Sequence, residues 1–504
     1  MPNVLAYLVL FSWPLVALIL FRLMPVNKAI IWTMLVGYLF LPNETGFKLP
    51  MLPMVDKYLL PTLCAMTLAL IVSERQAEGG VRRFSLPGSG GRLILIILFA
   101  MMFIGPFFTA MYNKIPIIAG PRFIPGLRLY DAFSMISAIL VGVLPFFIGL
   151  IWLNTREAQY NLMRAFVLTA LVYSLLALFE VRMSPQLHNW IYGFSPFPFI
   201  QQIRADGFRP VVFLNHGLML GIYLCMAILS ALALWREALR TGRRATPWLL
   251  AAIWLFITIL LAKTVGATVI TIILAPFLVF TGQRVQITVS VVIAVVVLLY
   301  PTLRGTGVIP VDDIYEFTLE RSPERAQSLK YRLDNEDLLL EHANEKPMFG
   351  WGSWGRNQLF DRNTGEMTST TDGIWVILIG TYGWIGYLAH FGLLTAPIFF
   401  YFVRRRTFGP SLVTSGVLLV LGANLIDLLP NAGLVAYVWL MAGSVTGLAL
   451  KHHEEVEEDE DAAAPVEERQ GTKAPAWLSP HGRTEKRFGG RRKRRFPSQR
   501  PQPQ

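Results

Sequence analysis

Apolar runs recur along almost the whole chain, and they constrain its fold more than any other feature. Of the 504 residues 54% are hydrophobic and only 15% are charged. A helix needs about 20 mostly apolar residues to cross a bilayer, and in lipid its backbone groups must be satisfied internally. The pattern predicts an all-α polytopic membrane protein with about 12–13 transmembrane helices. The predicted spans are 4–22, 29–42, 58–73, 92–112, 130–153, 162–180, 211–235, 247–262, 264–281, 284–301, 373–403, 411–429 and 432–450.

Arginines in short connections predict the orientation, because cytoplasmic loops carry an excess of basic residues. The connections predicted to be cytoplasmic are 74–91, 154–161, 236–246 and 404–410. Those predicted on the extracytoplasmic side are 43–57, 113–129, 181–210 and 302–372. This bias also explains the net charge of +12, so we do not interpret that charge as nucleic-acid binding.

Two domains are predicted. Residues 1–451 form the transmembrane domain, in which 302–372 is a long extracytoplasmic cap loop between the tenth span and the last three. Residues 452–504 carry an acidic block followed by a basic block, without the apolar residues that bury a core. We therefore predict a disordered cytoplasmic tail. Its basic block either contacts anionic membrane lipids or only completes the cytoplasmic charge bias.

Cations on the predicted outer side are candidate ligands for a phosphate. Arg204 and Arg209 lie just before the seventh span, and a guanidinium pairs phosphate oxygens in a bidentate way. The alternative is that both only mark a helix end at the interface. Lys263 interrupts a continuous apolar stretch, where an ionisable residue indicates a functional site or an outer turn.

The cap loop contains a predicted helix that begins at Ser322 as N-cap, with Pro323 in its first turn. Helical spacing places Arg325, Leu329, Arg332 and Glu336 on one stripe. Two arginines on that face suit a pyrophosphate. The alternative is a surface helix whose charges pair along its own length.

Asp372 closes the cap loop where the chain re-enters an apolar run. Its carboxylate can accept a proton from a sugar hydroxyl, cap the following helix, or do both. His342 and His216 have no metal-ligand partner at a recognisable spacing. They are weaker candidates for the site, and no metal is predicted.

Four stretches together resemble the O-antigen ligase and polymerase superfamily of bacterial envelope glycan assembly. They are RADGFRPVVFLNHGLMLGIYL, LLAKTVGATVI, YRLDNEDLLLEHANEKPMFGWG and TDGIWVILIGTYGWIGYL. The last has Gly383 and Gly386 at the spacing of the family's glycine pair. The resemblance covers roughly 60–450, and the long outer loop matches in position.

The resemblance implies a metal-independent glycosyltransferase of the GT-C kind, without cofactor, in the bacterial inner membrane with its active site on the periplasmic side. Its substrate is a glycan on undecaprenyl pyrophosphate, and a chain-length regulator is a possible partner. Arg204 or Arg209, Lys263 and Arg332, with Arg325 beside them, hold the pyrophosphate. Ligases of the family have a His-Asn/Ser pair where this chain has Asp372-Gly373.

That departure favours a polymerase over a ligase, with Asp372 as the catalytic base beside Arg332. A polymerase transfers the oligosaccharide onto another lipid-linked glycan during exopolysaccharide or O-antigen assembly. An O-antigen ligase, which transfers the glycan to a lipid or protein acceptor, is the first alternative. A flippase or exporter of lipid-linked oligosaccharide is the second, because it also needs many spans and cationic groups.

Overall fold

The computed structural model describes residues 1–48, 50, 52–76, 89–204, 207–308, 310–321, 323–407, 409 and 411–463. For 74–76, 89–90, 312, 314, 321, 324, 325 and 451–463 it describes the backbone alone. The helices in these ranges are α1 (Val4–Phe11), α2 (Trp13–Leu23), α3 (Val26–Phe40), α4 (Leu59–Gln76), α5 (Ser89–Tyr112), α6 (Leu129–Trp152), α7 (Arg156–Met183), α8 (Leu187–Tyr192), α9 (Gly217–Arg240), α10 (Thr246–Leu261), α11 (Val265–Phe280), α12 (Gln283–Gly305), α13 (Val311–Arg321), α14 (Pro323–Asn344), α15 (Ile374–Val403), α16 (Leu412–Asp427) and α17 (Ala436–Ala463).

In the part of the chain that the structure describes, short strands form two antiparallel hairpins between the helices. The first pairs β1 (Ile117–Ala119) with β2 (Arg122–Ile124), and the second pairs β3 (Ile203–Arg204) with β4 (Gly207–Phe208). A 3-10 turn, Phe199–Gln202, leads into the second hairpin. The architecture is therefore all-α, as predicted.

Seven helices in the described ranges are long and apolar enough to cross a membrane. They are Val4–Leu23, Gly91–Tyr112, Leu129–Trp152, Arg156–Met183, Gly217–Arg240, Gln283–Gly305 and Ile374–Val403. Shorter apolar helices are Val26–Phe40, Leu59–Ser73, Thr246–Leu261, Val265–Phe280, Leu412–Asp427 and Ala436–Leu450. Each predicted span overlaps one of these helices. The protein is a multi-pass α-helical membrane protein, and the number of crossings stays a prediction.

The core of the bundle is built around α9, whose apolar window is 89% buried. It packs against α7, α10, α11 and α16. Large apolar side chains elsewhere are exposed along α2, α5, α11 and α12. Such contiguous apolar surface is typical of helices that face lipid.

The predicted start of the seventh span at Val211 is wrong, because α9 begins at Gly217. Residues 211–216 form a loop in which Val212 has a φ of 58°. The buried carboxylate of Glu180 accepts the backbone N–H groups of Val211 and Val212 at 2.8 and 2.7 Å. These bonds satisfy two backbone N–H groups that have no helical partner. The stretch therefore forms a loop although its apolar sequence is typical of a membrane helix.

The 302–372 segment contains two helices. The helix predicted from Pro323 is confirmed as α14, whereas its predicted N-cap, Ser322, lies outside the described residues. Helix α13 was not predicted from the sequence, and α12 continues to Gly305. After α14 the chain is irregular as far as α15, apart from one isolated bridge between Phe360 and Met367.

Helix α17 extends beyond the last apolar residue near position 450 and ends at Ala463. The first residues of the predicted tail are thus helical in backbone, and the prediction of a disordered tail stays a prediction. Residues 464–504 lie outside the described residues, so the prediction for that part stays a prediction.

Candidate active site

Most of the predicted site residues line one cavity of about 550 Å³, which we call the Arg–Asp cavity. It lies where the second hairpin, the N-terminus of α9, α14 and the C-terminus of α16 meet. Its lining residues are Gln201, Arg204, Arg209, Asn215, His216, Leu218, Met219, Arg332, Thr371, Asp372, Asp427, Asn431, Ala432 and Gly433. Residues far apart in sequence thus share one concave surface.

Arg209 and His216 are held in place by the loop before α9. Besides Glu180, the Tyr173 hydroxyl accepts the N–H of Phe213 at 2.9 Å, and the buried Lys57 ammonium donates to the Phe213 carbonyl at 2.7 Å. Three side chains from the bundle therefore fix the backbone of a non-helical loop. The loop presents its arginine and histidine to the cavity.

Three arginines concentrate positive charge in the cavity. Burial, together with the nearby Arg204 and Arg332, lowers the pKa of Arg209 to about 10. The guanidinium stays charged at neutral pH, but its Nε is buried without a hydrogen-bond partner among the described residues. Bringing like charges together away from water costs free energy unless an anion binds between them. The arrangement favours binding of a polyanion.

Arg332 and Asp372 form an ion pair across the cavity, with Nε and Oδ2 3.3 Å apart. Their side chains are 37% and 31% exposed, so the pair contributes little to stability and can rearrange when a ligand binds. The alternative in which the α14 charges pair only along their own helix does not hold for Arg332.

The expected capping role of Asp372 is not observed. The N-cap of α15 is Gly373, which has no side-chain capping bond, and the N–H of Ile374 donates to the carbonyls of Leu428 and Asn431. Backbone from the end of α16 thus satisfies the first turn of α15. The carboxylate of Asp372 therefore makes no capping bond and lines the cavity, where it pairs with Arg332.

His216 caps α9, since its Nδ1 accepts the N–H of Leu218 at 3.1 Å. Burial, then the three arginines of the cavity, lowers its pKa to about 4. The imidazole is therefore neutral at physiological pH. With Nδ1 acting as acceptor, its Nε2 carries the proton and can donate a hydrogen bond.

Asp427 is a second carboxylate in the cavity and was not among the predicted site residues. It is the last residue of α16, is only 6% exposed, and accepts the side-chain N–H of Asn431 at 2.9 Å. The sequence indicates it only as a lone carboxylate near the end of an apolar run. It shares the cavity with Asp372 because the end of α16 meets the start of α15 through backbone hydrogen bonds.

Three predicted site residues do not line the Arg–Asp cavity. Lys263 lies in the turn between α10 and α11 with a φ of 56°, and its buried Nζ has no hydrogen-bond partner in the part of the chain that the structure describes. It lies beside Gly207 of the second hairpin. His342 stacks on Trp351 with ring centroids 4.4 Å apart. Arg325 lies in α14, but its side chain is outside the described residues.

A mainly apolar cavity of about 560 Å³ adjoins the Arg–Asp cavity and shares Asn215, Met219 and Ala432 with it. Its walls come mainly from α6, α15 and the residues around the starts of α4 and α17, with Trp439 among the apolar lining residues and Asp56 among the polar ones. An arginine-lined compartment and a mainly apolar one are therefore neighbours.

No group of three or more His, Cys, Asp or Glu side chains that can hold a metal occurs among the described residues. The chain matches no protein-family model and no curated protein sequence. The fold and the helices define a multi-pass all-α membrane protein. The resemblance to the O-antigen ligase and polymerase superfamily stays a prediction from the residues.

Proposed function

We propose that the protein is a membrane glycan polymerase of the GT-C kind. It transfers an oligosaccharide from undecaprenyl pyrophosphate onto a second lipid-linked glycan. The observation that carries the proposal is the convergence of Arg204, Arg209 and Arg332 with Asp372 and Asp427 on one cavity. A guanidinium group pairs phosphate oxygens in a bidentate way, so three of them suit the two phosphates of a pyrophosphate.

The adjoining apolar cavity supports a lipid-linked substrate. A polyprenyl chain is wholly apolar, whereas the pyrophosphate at its end is strongly anionic. In the proposal, the pyrophosphate binds the arginines while the first isoprenoid units occupy the apolar cavity past Met219 and Ala432. Binding energy from the lipid then positions the reacting sugar.

In the proposed reaction the acceptor hydroxyl oxygen attacks the anomeric carbon of the donor sugar. The bond from that carbon to the pyrophosphate oxygen breaks, and the electron pair leaves with undecaprenyl pyrophosphate. The arginines stabilise the negative charge that develops on the leaving group. Once Arg332 engages the pyrophosphate, Asp372 is released from its ion pair and accepts the hydroxyl proton.

The proposal is tested by replacing Arg209 or Arg332 with Gln in a cell that depends on this chain for surface polysaccharide. Each variant removes one charge from the cavity and is expected to lower the yield of long chains by about 100-fold. Arg243→Gln is the matched control, because Arg243 is exposed at the turn between α9 and α10. Membrane levels of all variants are compared by immunoblot.

The products distinguish the candidate functions. Single repeat units that accumulate on undecaprenyl pyrophosphate at the outer leaflet support a polymerase. Long lipid-linked chains that fail to reach their final acceptor indicate a ligase instead. Accumulation at the inner leaflet indicates a flippase, and chains of normal length in both variants contradict all three assignments to this cavity.

A further inference from the structure

A second arginine-lined cavity lies outside the site described above. Its volume is about 730 Å³, and we call it the distal cavity. The lining residues are Gly282, Gln283, Arg284, Val285, Ile287, Arg405 and Arg406. They come from the start of α12 and from the connection that follows α15.

The distal cavity lies at the other end of the bundle from the Arg–Asp cavity. Asp372 precedes the first residue of α15, whereas Arg405 follows its last residue, Val403. Helix α12 also begins at the distal cavity, and its 23 residues correspond to about 35 Å. This length matches the thickness of a bilayer's hydrocarbon core, so the two cavities lie near opposite membrane surfaces.

Positive charge lines the distal cavity. Among the described residues, three guanidinium side chains line it and no carboxylate does, and the ion pairs that these residues form do not include Arg284, Arg405 or Arg406. Arg405 is oriented by a cation–π contact with Phe402 at 3.9 Å and donates to the Phe402 carbonyl at 2.6 Å. A ligand for this cavity carries negative charge.

Apolar surface adjoins these charges. Val285 and Ile287 contribute to the lining itself. Phe280 and Val403, at the ends of α11 and α15, are each two residues before a lining residue in sequence and are 81% and 75% exposed. A free phosphate leaves this apolar surface uncovered. A phospholipid covers the arginines with its headgroup and the apolar side chains with its acyl chains.

We propose that the distal cavity binds an anionic phospholipid, with its phosphate on Arg284, Arg405 and Arg406 and its acyl chains along Phe280 and Val403. Basic pockets between helices at a membrane surface recognise such headgroups. The orientation bias alone explains why arginines occur on this side, but it does not require three of them to line one cavity.

The test compares two double variants of the full chain, purified in a mild detergent. Arg284→Gln/Arg406→Gln removes two charges from the cavity. Arg243→Gln/Arg244→Gln removes two equally exposed charges from the turn between α9 and α10. Binding of phosphatidylglycerol is measured by native mass spectrometry, with phosphatidylcholine and inorganic phosphate as the other probes.

We expect the cavity variant to bind phosphatidylglycerol roughly 30-fold more weakly, while the control variant binds as the wild type does. Phosphatidylcholine is expected to bind equally weakly to all three proteins. Equal loss in both variants, or unchanged binding in the cavity variant, overturns the proposal. Competition by inorganic phosphate at concentrations equal to those of the lipid also overturns it, since the site then recognises the phosphate alone.

Discussion

At the scale of single residues, the ion pair between Arg332 and Asp372 connects α14 to the segment just before α15. The sequence predicts both residues as candidates, Arg332 from the arginine face of a predicted helix and Asp372 as a carboxylate where an apolar run begins. It does not predict that they pair, since 39 residues of irregular and helical chain lie between them. Asn335 also joins the two segments, since its side-chain oxygen accepts the N–H of Thr370 at 2.8 Å.

Asp372→Asn tests the proposed proton acceptor. An amide cannot accept the hydroxyl proton, so we expect transfer in membrane vesicles to slow by about 100-fold or more. The fold should be unaffected, because the ion pair that is lost is half-exposed. Asp361→Asn is the control, since Asp361 caps a turn in the same segment through bonds that Asn can also accept. A rate within twofold of wild type for Asp372→Asn contradicts the assignment.

Glu336 makes stability depend on pH. Its carboxyl lies on the buried face of α14, where it accepts a hydrogen bond from the hydroxyl of Tyr300 at 3.3 Å. Burial raises the pKa of Glu336 to about 7 from the ordinary 4.5. The folded state therefore holds a proton that the unfolded state releases. This stabilisation is complete below the unfolded pKa and is lost as the pH rises through the folded pKa.

Glu336→Gln removes that dependence, because Gln is neutral at every pH. Compared with wild type, we expect the variant to be about equally stable near pH 4.5 and about 1–3 kcal/mol more stable near pH 8. The measurement is the difference in unfolding midpoint between the two proteins at each pH. Taking the difference cancels the opposite trend of Lys57, whose pKa burial lowers to about 7. An equal difference at both pH values contradicts the prediction.

At the scale of secondary-structure elements, the most informative feature is the break within α15. Gly383 has a φ of 72° inside this helix. The N–H of Trp384 donates to the carbonyl of Pro347 at 2.7 Å, and the N–H of Trp351 donates to that of Gly380 at 2.8 Å. The turn after α14 therefore forms hydrogen bonds with the backbone groups that the break in α15 leaves without an intrahelical partner.

Gly383→Ala tests this interlock. The residue requires a left-handed backbone conformation, and an added Cβ would collide with the carbonyl of Met348. We expect the variant to lose about 2 kcal/mol or more of stability, seen as a lower unfolding midpoint in detergent. Gly105→Ala in α5 is the control, because a Cβ there meets no atom within 4 Å. A midpoint equal to that of the control contradicts the interlock.

The sequence predicts the elements better than their connections. Apolar runs and the Pro323 start identify α14 and the membrane helices, because burial in lipid and helix initiation are local properties. The break at Gly383 is indicated only as a glycine pair with Gly386. The loop before α9 was missed, because Val211–Leu214 is apolar and the side chains that bond its backbone, such as Glu180, are distant in sequence.

At the scale of the whole molecule, the bundle separates two charged ends. One end holds the Arg–Asp cavity with its carboxylates, and the other holds the distal cavity, whose described lining includes three arginines. The alternation of apolar and basic segments predicts this division. It does not predict the cavities themselves, which depend on how helix ends meet. Asp427 likewise lines the Arg–Asp cavity because the end of α16 meets the start of α15 there.

The most direct test of the central claim is reconstitution of the purified full chain in vesicles with a single undecaprenyl-pyrophosphate-linked repeat unit. We expect a ladder of extended glycans and one undecaprenyl pyrophosphate released for each bond formed. Arg209→Gln is expected to slow both by about 100-fold. Absence of extension and of release with the wild-type chain, or equal rates in the variant, would contradict the account.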